Sequence, residues 1–377
     1  MSDTVALSLL ARQPLCRPEV SGLPRYNSGL SEEEVQRRYG LKNIVKLGSN
    51  ENPYGPSDLV KSGWDVLMGR LGRYPDAGAA TLRSDIAKTC GIAHDRVLVG
   101  NGSEQIIRMI AEAYLSPRDR VVTVRPAFGL HEICPRMMGA VVDAVPITAE
   151  ATFDYAAMLA AVHQPTKLLM FANPSNPVGC MMTGEALRAL IEACPPDTLI
   201  VVDEAYREYA EQDPDYPDAR AILEKQARPW IILRTFSKAY GLAALRIGYA
   251  LTSSADVTAT LDSVRDPFNT NMPAQVAACA ALADTAYMQD CVSKTVAERE
   301  RVVQLLVTQG LFVAPTWTNF VFVRTPMLAD KLSTALLERG IIIKPWKEAG
   351  FENWIRISIG LPEENNIMLR ALADLVL

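Results

Sequence analysis

Four apolar runs in the chain each end in polar residues of unusual type. "RVLV" (96–99) leads into Gly-Asn-Gly-Ser-Glu-Gln, and "KLLMFA" (167–172) into Asn-Pro-Ser-Asn-Pro-Val-Gly. "TLIVV" (198–202) leads into Asp-Glu-Ala-Tyr, and "WIILR" (230–234) into Thr-Phe-Ser-Lys. Each alone has an ordinary reading: a turn with a helix cap, a tight loop, a capping aspartate, a solvated lysine. Together they assemble a chemical set. Lys238 is an amine able to condense with an aldehyde. Asp203 is a carboxylate at a buried strand end, where it needs a cationic partner such as a protonated ring nitrogen. The turn Gly102–Ser103–Glu104, the hydroxyl of Ser237 and the guanidinium of Arg246 form the kind of helix-start site that binds a phosphate. An aldehyde, a pyridine nitrogen and a phosphate on one molecule describe pyridoxal 5'-phosphate.

Those residues need a scaffold that brings strand ends together. Between about 95 and 250 the chain alternates apolar runs ("RVLVG", "RVVTV", "AVVDAVPI", "KLLMFA", "TLIVVD", "WIILRTF", "RIGYALT") with helix-periodic stretches such as "SEQIIRMIAEAYL" and "TGEALRALIEAC". The alternation predicts an α/β fold with a large domain built on a mostly parallel sheet, its helices on the two faces. In such sheets ligands sit beyond the carboxyl ends of the strands, where the polar residues fall. After about 270 a long helical region, "PAQVAACAALADTAYMQDCVSKTVAERERVVQLLVTQG", runs into short strands "TNFVFVRT", "GIIIKP" and "WIRISIG", which predicts a smaller α/β C-terminal domain. The expected division is an N-terminal arm and helix over 1–44 joining the small domain, a large cofactor-binding domain over 45–268, and a small domain over 269–377. Ser31 with Glu34 three residues on predicts the start of the arm's helix.

Composition narrows the class. With 377 residues, a net charge of −5 and no basic tract, nucleic acid and anionic membrane are poor partners. Seven cysteines without a C-x-x-C pair and only three histidines speak against a zinc site and for reduced thiols in the cytoplasm. The N-terminus lacks the basic region and cleavage site of a signal peptide. No apolar run reaches the roughly 18 residues a membrane span needs.

The chain resembles the fold-type I (aspartate aminotransferase-like) pyridoxal-phosphate aminotransferases, in the branch of the histidinol-phosphate aminotransferases. The resemblance rests on "LGSNENPYGPS" (47–57), "GRYPDAG" (72–78), "GNGSEQII" (100–107), "NPSNPVG" (173–179), "VVDEAY" (201–206), "RTFSKAYGLAALRIGY" (234–249) and "IRISIG" (355–360), in that order and spacing. It implies a seven-stranded sheet, a homodimer, and the transfer of an amino group from a small-molecule donor to a 2-oxo acid. By position, Lys238 looks like the Schiff-base lysine and proton shuttle, and Asp203 like the partner of the pyridine nitrogen. Asn176 and Tyr206 match the residues that hydrogen-bond the cofactor's phenolic oxygen. Phe128 sits where the family stacks an aromatic on the ring. Ser103, Glu104, Ser237 and Arg246 fall where it binds the phosphate, and Tyr54 matches a tyrosine reaching the neighbouring subunit's phosphate. Arg356 matches the arginine that clamps a substrate anion, with Lys344, Tyr26 and Asn176 completing the substrate side.

The sequence departs from the family pattern at four places. Glu104 stands for the usual Asp, and Ala244 adds a methyl to a "GLAGL" turn. "RYNSGL" replaces an early Y-x-P-G-K segment, and Lys344 replaces an arginine that helps hold the phosphate of histidinol phosphate. The resemblance therefore implies histidinol phosphate as donor with 2-oxoglutarate as acceptor, in histidine biosynthesis. An aromatic amino acid aminotransferase is the alternative, with "PRYN" and Trp346 lining a pocket for a flat ring. A decarboxylase on the same fold is a weaker rival. A nicotinamide dehydrogenase lacks its G-x-G-x-x-G after the first strand, and a non-catalytic regulatory module would not need Lys238.

Overall fold

The computed structural model describes residues 16–24, 29–62, 64, 67 and 69–376. The strands, in chain order, are β1 (Val45–Lys46), β2 (Val97–Gly100), β3 (Arg120–Arg125), β4 (Val141–Pro146), β5 (Leu168–Ala172), β6 (Leu199–Asp203), β7 (Trp230–Thr235) and β8 (Gly248–Thr252). The later ones are β9 (Phe312–Val313), β10 (Phe320–Arg324), β11 (Ile341–Ile342), β12 (Lys344–Pro345) and β13 (Trp354–Ser358). Seven of them form one sheet in the order β2-β8-β7-β6-β5-β3-β4. Every pairing in it is parallel except those of β8, which runs antiparallel to both β2 and β7.

The inner strands β5, β6 and β7 are buried along their whole length. This is why they read as continuous apolar runs rather than alternating ones. Their side chains still alternate between two cores. Leu168, Met170, Leu199, Val201, Ile231 and Leu233 pack on one face. Leu169, Phe171, Ile200, Val202 and Ile232 pack on the other. Helices cover both faces, and several begin at a residue whose side chain accepts an amide three positions on: Asp154, Thr183, Asp218, Ser254 and Asn271.

The C-terminal part forms a four-stranded antiparallel sheet, β12-β13-β10-β9. Val302, Leu306, Val321, Leu336, Ile355, Ile357 and Met368 make its core. Two expectations change in detail. The long helical region is two helices, Met272–Ala283 and Thr285–Thr308, because Asp284 leaves helical geometry and caps the second by accepting from Tyr287 N. "GIIIKP" is two short strands: β11 pairs in parallel with β1, while β12 turns to pair with β13. The β1–β11 pairing ties the N-terminal segment to the C-terminal part. The helix before it, Glu32–Tyr39, starts at Ser31, whose hydroxyl accepts from Glu34 N, and ends at Gly40 with φ 68°.

One close approach fixes the geometry around the sheet edge. A Cβ on Gly248 would lie 2.6 Å from Ser103 N and 2.9 Å from both Arg234 O and Gly102 C, all backbone atoms. Only glycine lets the start of helix Gly102–Tyr114 sit against β8. Gly248→Ala should therefore lower the urea midpoint, at a cost of about 1–3 kcal/mol for backbone displacement; an unchanged midpoint would show that the helix start can move freely.

Candidate active site

The polar residues that follow the strands converge on one edge of the sheet. Asp203 ends β6, Asn176 lies in the loop after β5, and Ser237 and Lys238 follow β7. Ser103 follows β2 and Phe128 follows β3. Because β8 is antiparallel, its amino end faces this edge, and Arg246 lies just before it. These residues, with Glu104, Tyr206, Lys344 and Arg356, line one cavity of about 920 Å³. Tyr54 is not among the lining residues; its ring lies 5.6 Å from Lys294 Nζ. Tyr26 falls outside the described residues.

One end of the cavity is an anion cradle. Gly102 has φ 71°, and a Cβ there would lie 2.8 Å from Arg246 Nη2. The helix it begins has no side-chain cap from Asn101, so its first amides are open to an anion. Arg246, itself left-handed at φ 56°, donates to Ser237 Oγ at 3.3 Å and to Glu104 Oε2 at 3.0 Å. The Glu104 carboxylate thus aims the guanidinium, with both side chains partly exposed.

Lys238 Nζ donates to Ser49 O at 3.0 Å and lies 5.8 Å from the Tyr206 ring centroid. Burial first, then the nearby Arg356 cation, pushes its ammonium from 10.5 down to about 7. Asp203 is buried; one oxygen accepts from Ala205 N at 3.1 Å and the other lies 3.2 Å from His131 Nε2. His131 is fully buried, and Phe128 meets its ring edge-on at 5.7 Å.

A hydrogen-bond chain joins four segments of the sequence. Tyr206 Oη accepts from Asn50 Nδ2 at 2.9 Å and from Asn176 Nδ2 at 3.3 Å. Asn176 Oδ1 in turn accepts from Arg356 at 2.7 Å, and Arg356 also donates to Gly48 O at 2.9 Å. Asn50, at φ 56°, receives Ser358 Oγ on its side-chain oxygen and gives its own amide to that hydroxyl at 2.7 Å. Sequence reasoning missed Asn50, Ser358 and His131. Asn50 lies in a quoted motif; His131 carries no local signal, since a histidine in a short amphipathic helix looks like any other.

Lys344 and Arg356 are direct cross-strand neighbours in β12 and β13, so their side chains leave the same face. Burial, then Arg356, then Lys347, pushes the Lys344 ammonium down to about 8. Two cations side by side at the wall of a partly buried cavity repel each other and suit a doubly charged anion.

The matching family model, "Aminotransferase class I and II", covers residues 42–372. The chain belongs to this family. It is 43% identical to "Histidinol-phosphate aminotransferase 1" of Mesorhizobium japonicum, over 96% of this chain and 98% of that one. Similarity to "Histidinol-phosphate aminotransferase 3" of Rhizobium meliloti is also 43%, over 95% and 96%. A solved structure of histidinol-phosphate aminotransferase from Sinorhizobium meliloti, in complex with pyridoxal-5'-phosphate, superposes with a TM-score of 0.87 at 29% identity, covering 97% of this chain and 98% of that one. A Thermus thermophilus aspartate aminotransferase, 22% identical with a TM-score of 0.81, shares the fold. The chain is thus an aminotransferase of fold type I, in the histidinol-phosphate aminotransferase branch, as its motifs imply.

The lowered Lys238 amine can be checked without any cofactor. Acetylation of the cofactor-free protein by acetic anhydride needs the neutral amine, and the anhydride itself does not ionise. Mapped by mass spectrometry, modification at Lys238 should rise with pH through about 7, against 10.5 for an ordinary lysine. In Arg356→Ala the midpoint should move upward, because a neighbouring cation has gone; a midpoint near 10 in the parent would refute the depressed state.

Proposed function

We propose that this chain transfers the amino group of histidinol phosphate to 2-oxoglutarate, using pyridoxal 5'-phosphate, in a homodimer in the cytoplasm. The observation that carries the choice of donor is the Lys344–Arg356 pair across β12 and β13. A single guanidinium matches the charge of one carboxylate, whereas two adjacent cations match the charge of a phosphate dianion. The naming of the full-length relatives as histidinol-phosphate aminotransferases supports the same donor.

The residues present fit the cofactor. The open amides at Gly102 and Ser103, with Ser237 and Arg246, suit its phosphate. Asp203, with His131 behind it, suits a protonated ring nitrogen; Phe128 lies where a ring would stack. Asn176 and Tyr206 Oη suit the phenolic oxygen, and Lys238 suits the aldehyde carbon. Pyridoxal phosphate, when bound, supplies a carbonyl carbon for the amino group and an electron-withdrawing ring that acidifies the substrate's α-carbon.

The remaining work falls to side chains. Lys238, its ammonium pushed down to about 7, takes the proton from the α-carbon as the neutral amine and returns it on the far side of the transfer. Asp203 keeps the ring nitrogen charged; its own position is fixed by the Ala205 amide and His131. Arg356, immobilised by Asn176 and Gly48, orients the substrate through its anionic group so that the α-hydrogen faces Lys238. 2-Oxoglutarate, the acceptor that regenerates the cofactor, offers a carboxylate to the same arginine. In the proposed homodimer Tyr54 would reach the partner's cofactor phosphate; it does not line the cavity of its own chain.

The parent protein should be yellow, with a band abolished by borohydride, and should show ping-pong kinetics with histidinol phosphate and 2-oxoglutarate. Lys238→Ala should lose turnover by several powers of ten, since nucleophile and base disappear together. Arg356→Ala should lower kcat/KM for histidinol phosphate, glutamate and phenylalanine alike, by roughly 1.5–3 kcal/mol or more. Lys344→Ala should damage histidinol phosphate selectively. Equal losses across donors in the Lys344 variant would remove it as a phosphate ligand. A parent inactive on histidinol phosphate but good on phenylalanine would assign the aromatic alternative.

A further inference from the structure

Residues 48–51 form a row of acceptors along the cavity. Gly48 O takes Arg356 at 2.9 Å, Ser49 O takes Lys238 Nζ at 3.0 Å, and Asn50 O takes Asn319 Nδ2 at 3.0 Å. Glu51 ends the row, and all four residues line the cavity. The row is fixed at its centre. Asn50 is buried; Ser358 Oγ accepts its amide at 2.7 Å and donates to its side-chain oxygen at 2.9 Å. That anchors the backbone between the Ser49 carbonyl and the Glu51 side chain. Lys46 Nζ holds one Glu51 oxygen at 2.7 Å, and the other oxygen has no hydrogen-bond partner among the described residues.

In an amino transfer the donor's amine and the lysine amine react in turn at the same carbon, so they use one place in the cavity. The groups around Lys238 Nζ are therefore those that an arriving ammonium meets. Ser49 O is the direct acceptor there. Two carboxylates favour an ammonium at that point, Glu51 more than Glu104, and Glu104 is engaged by Arg246 in the cradle. Once the Lys238 amine is engaged elsewhere, Ser49 O is the acceptor it leaves behind, with the Glu51 charge still in the wall. A 2-oxo acid brings a carbonyl oxygen to the same place. It has no hydrogen for Ser49 O, and its partial negative charge meets a carboxylate. Arg356, in the proposed reading, grips the anionic group of both substrates and cannot make that distinction.

We propose, on the reading of Lys238 as the exchanging amine, that Ser49 O and Glu51 form the subsite for the donor's ammonium and let the cavity tell amino substrates from 2-oxo substrates. Ser49 O accepts one ammonium hydrogen, and Glu51 supplies the balancing charge. A site built to hydrogen-bond a substrate group disfavours the analogue that lacks it. The subsite serves every amino donor, whichever anionic group Arg356 holds. The Glu51 side chain is 42% exposed, so its charge acts as that of a partly solvated pair.

The test is equilibrium binding to the cofactor-loaded protein, by calorimetry, of two ligands that do not turn over. 2-Methylglutamate carries the ammonium but has no α-hydrogen to lose; glutarate has the same two carboxylates and no amine. In Glu51→Gln, which keeps the shape, 2-methylglutamate should bind about fivefold more weakly, the scale of a partly exposed ion pair. Glutarate should bind as before or more tightly, because an anion has left the wall. Glu51→Asp keeps the charge and should recover part of the 2-methylglutamate affinity. In the half-reactions, Glu51→Gln should lower kcat/KM for histidinol phosphate and for glutamate, and not for 2-oxoglutarate. Unchanged or tighter 2-methylglutamate binding in Glu51→Gln, an equal loss for glutarate, or no recovery in Glu51→Asp overturns the ammonium subsite and leaves the Lys238 and donor assignments standing. A parent without the yellow, borohydride-sensitive band removes Lys238 as the exchanging amine, and the subsite with it.

Discussion

The buried guanidinium of Arg356 is the point at which three distant parts of the chain meet. It sits on β13 of the C-terminal sheet, donates to Asn176 in the loop after β5, and donates to Gly48 near the N-terminus. A buried cation is tolerable only when its donors are matched by acceptors. Meeting that requirement pulls the loop after β5 and the 48–50 segment onto the C-terminal sheet. The same contacts draw in Tyr206 through Asn176, and Asn50 through Ser358. In the proposed reading Arg356 grips a substrate anion, and the same residue closes the cavity that the anion enters. Loss of the arginine would loosen the wall as well as remove a charge, and the two effects separate only when substrates of different charge are compared.

The large sheet explains why so much of the site can be read from sequence. In a parallel sheet each strand delivers its next residues to the same edge, so Asp203, Ser237 and Lys238 are local consequences of the apolar runs before them. Arg246 reaches the same edge by a different route, which its motif and not the strand direction made legible: its strand is antiparallel, so a residue before that strand lies where the others lie after theirs. What stayed hidden depends on tertiary contact. His131 becomes meaningful only because the start of its helix brings the ring to 3.2 Å from Asp203 at the end of β6. Asn50 needs a left-handed backbone and the distant Ser358, and neither is written in the residues around it. The division of "GIIIKP" into two strands follows from β1 claiming one half and β13 the other, a competition between segments some 300 residues apart in sequence.

Electrostatically the cavity is a balance of unlike charges rather than a positive funnel. Lys238, Arg246, Lys344, Lys347 and Arg356 line it, as do Glu51, Glu104, Asp203 and Glu348. The anions are not spread evenly among the cations. Glu104 is paired with Arg246 in the cradle, and Asp203 with His131. Glu51 is paired with Lys46 at 2.7 Å while its charge also favours the Lys238 ammonium. Each anion thus holds a particular group in place or in a particular protonation state, and the cavity gains selectivity without a large net field.

This balance couples the lysine to what binds beside it. Burial lowers the Lys238 ammonium most, and the Arg356 cation adds to that depression. An anion seated on Arg356 cancels part of the cation's field at Lys238 Nζ, so the amine's affinity for a proton rises when a substrate arrives. By linkage the reverse holds too: a protonated Lys238 strengthens the binding of the anion. With its ammonium lowered to about 7, the free chain holds a large share of the amine neutral and nucleophilic at neutral pH; an occupied site would make it a better proton acceptor, as the proposed removal of the α-proton requires. One neighbouring guanidinium thereby serves two opposite needs at two moments, and it can do so because Arg356 is buried and its charge acts on the lysine across the same cavity wall.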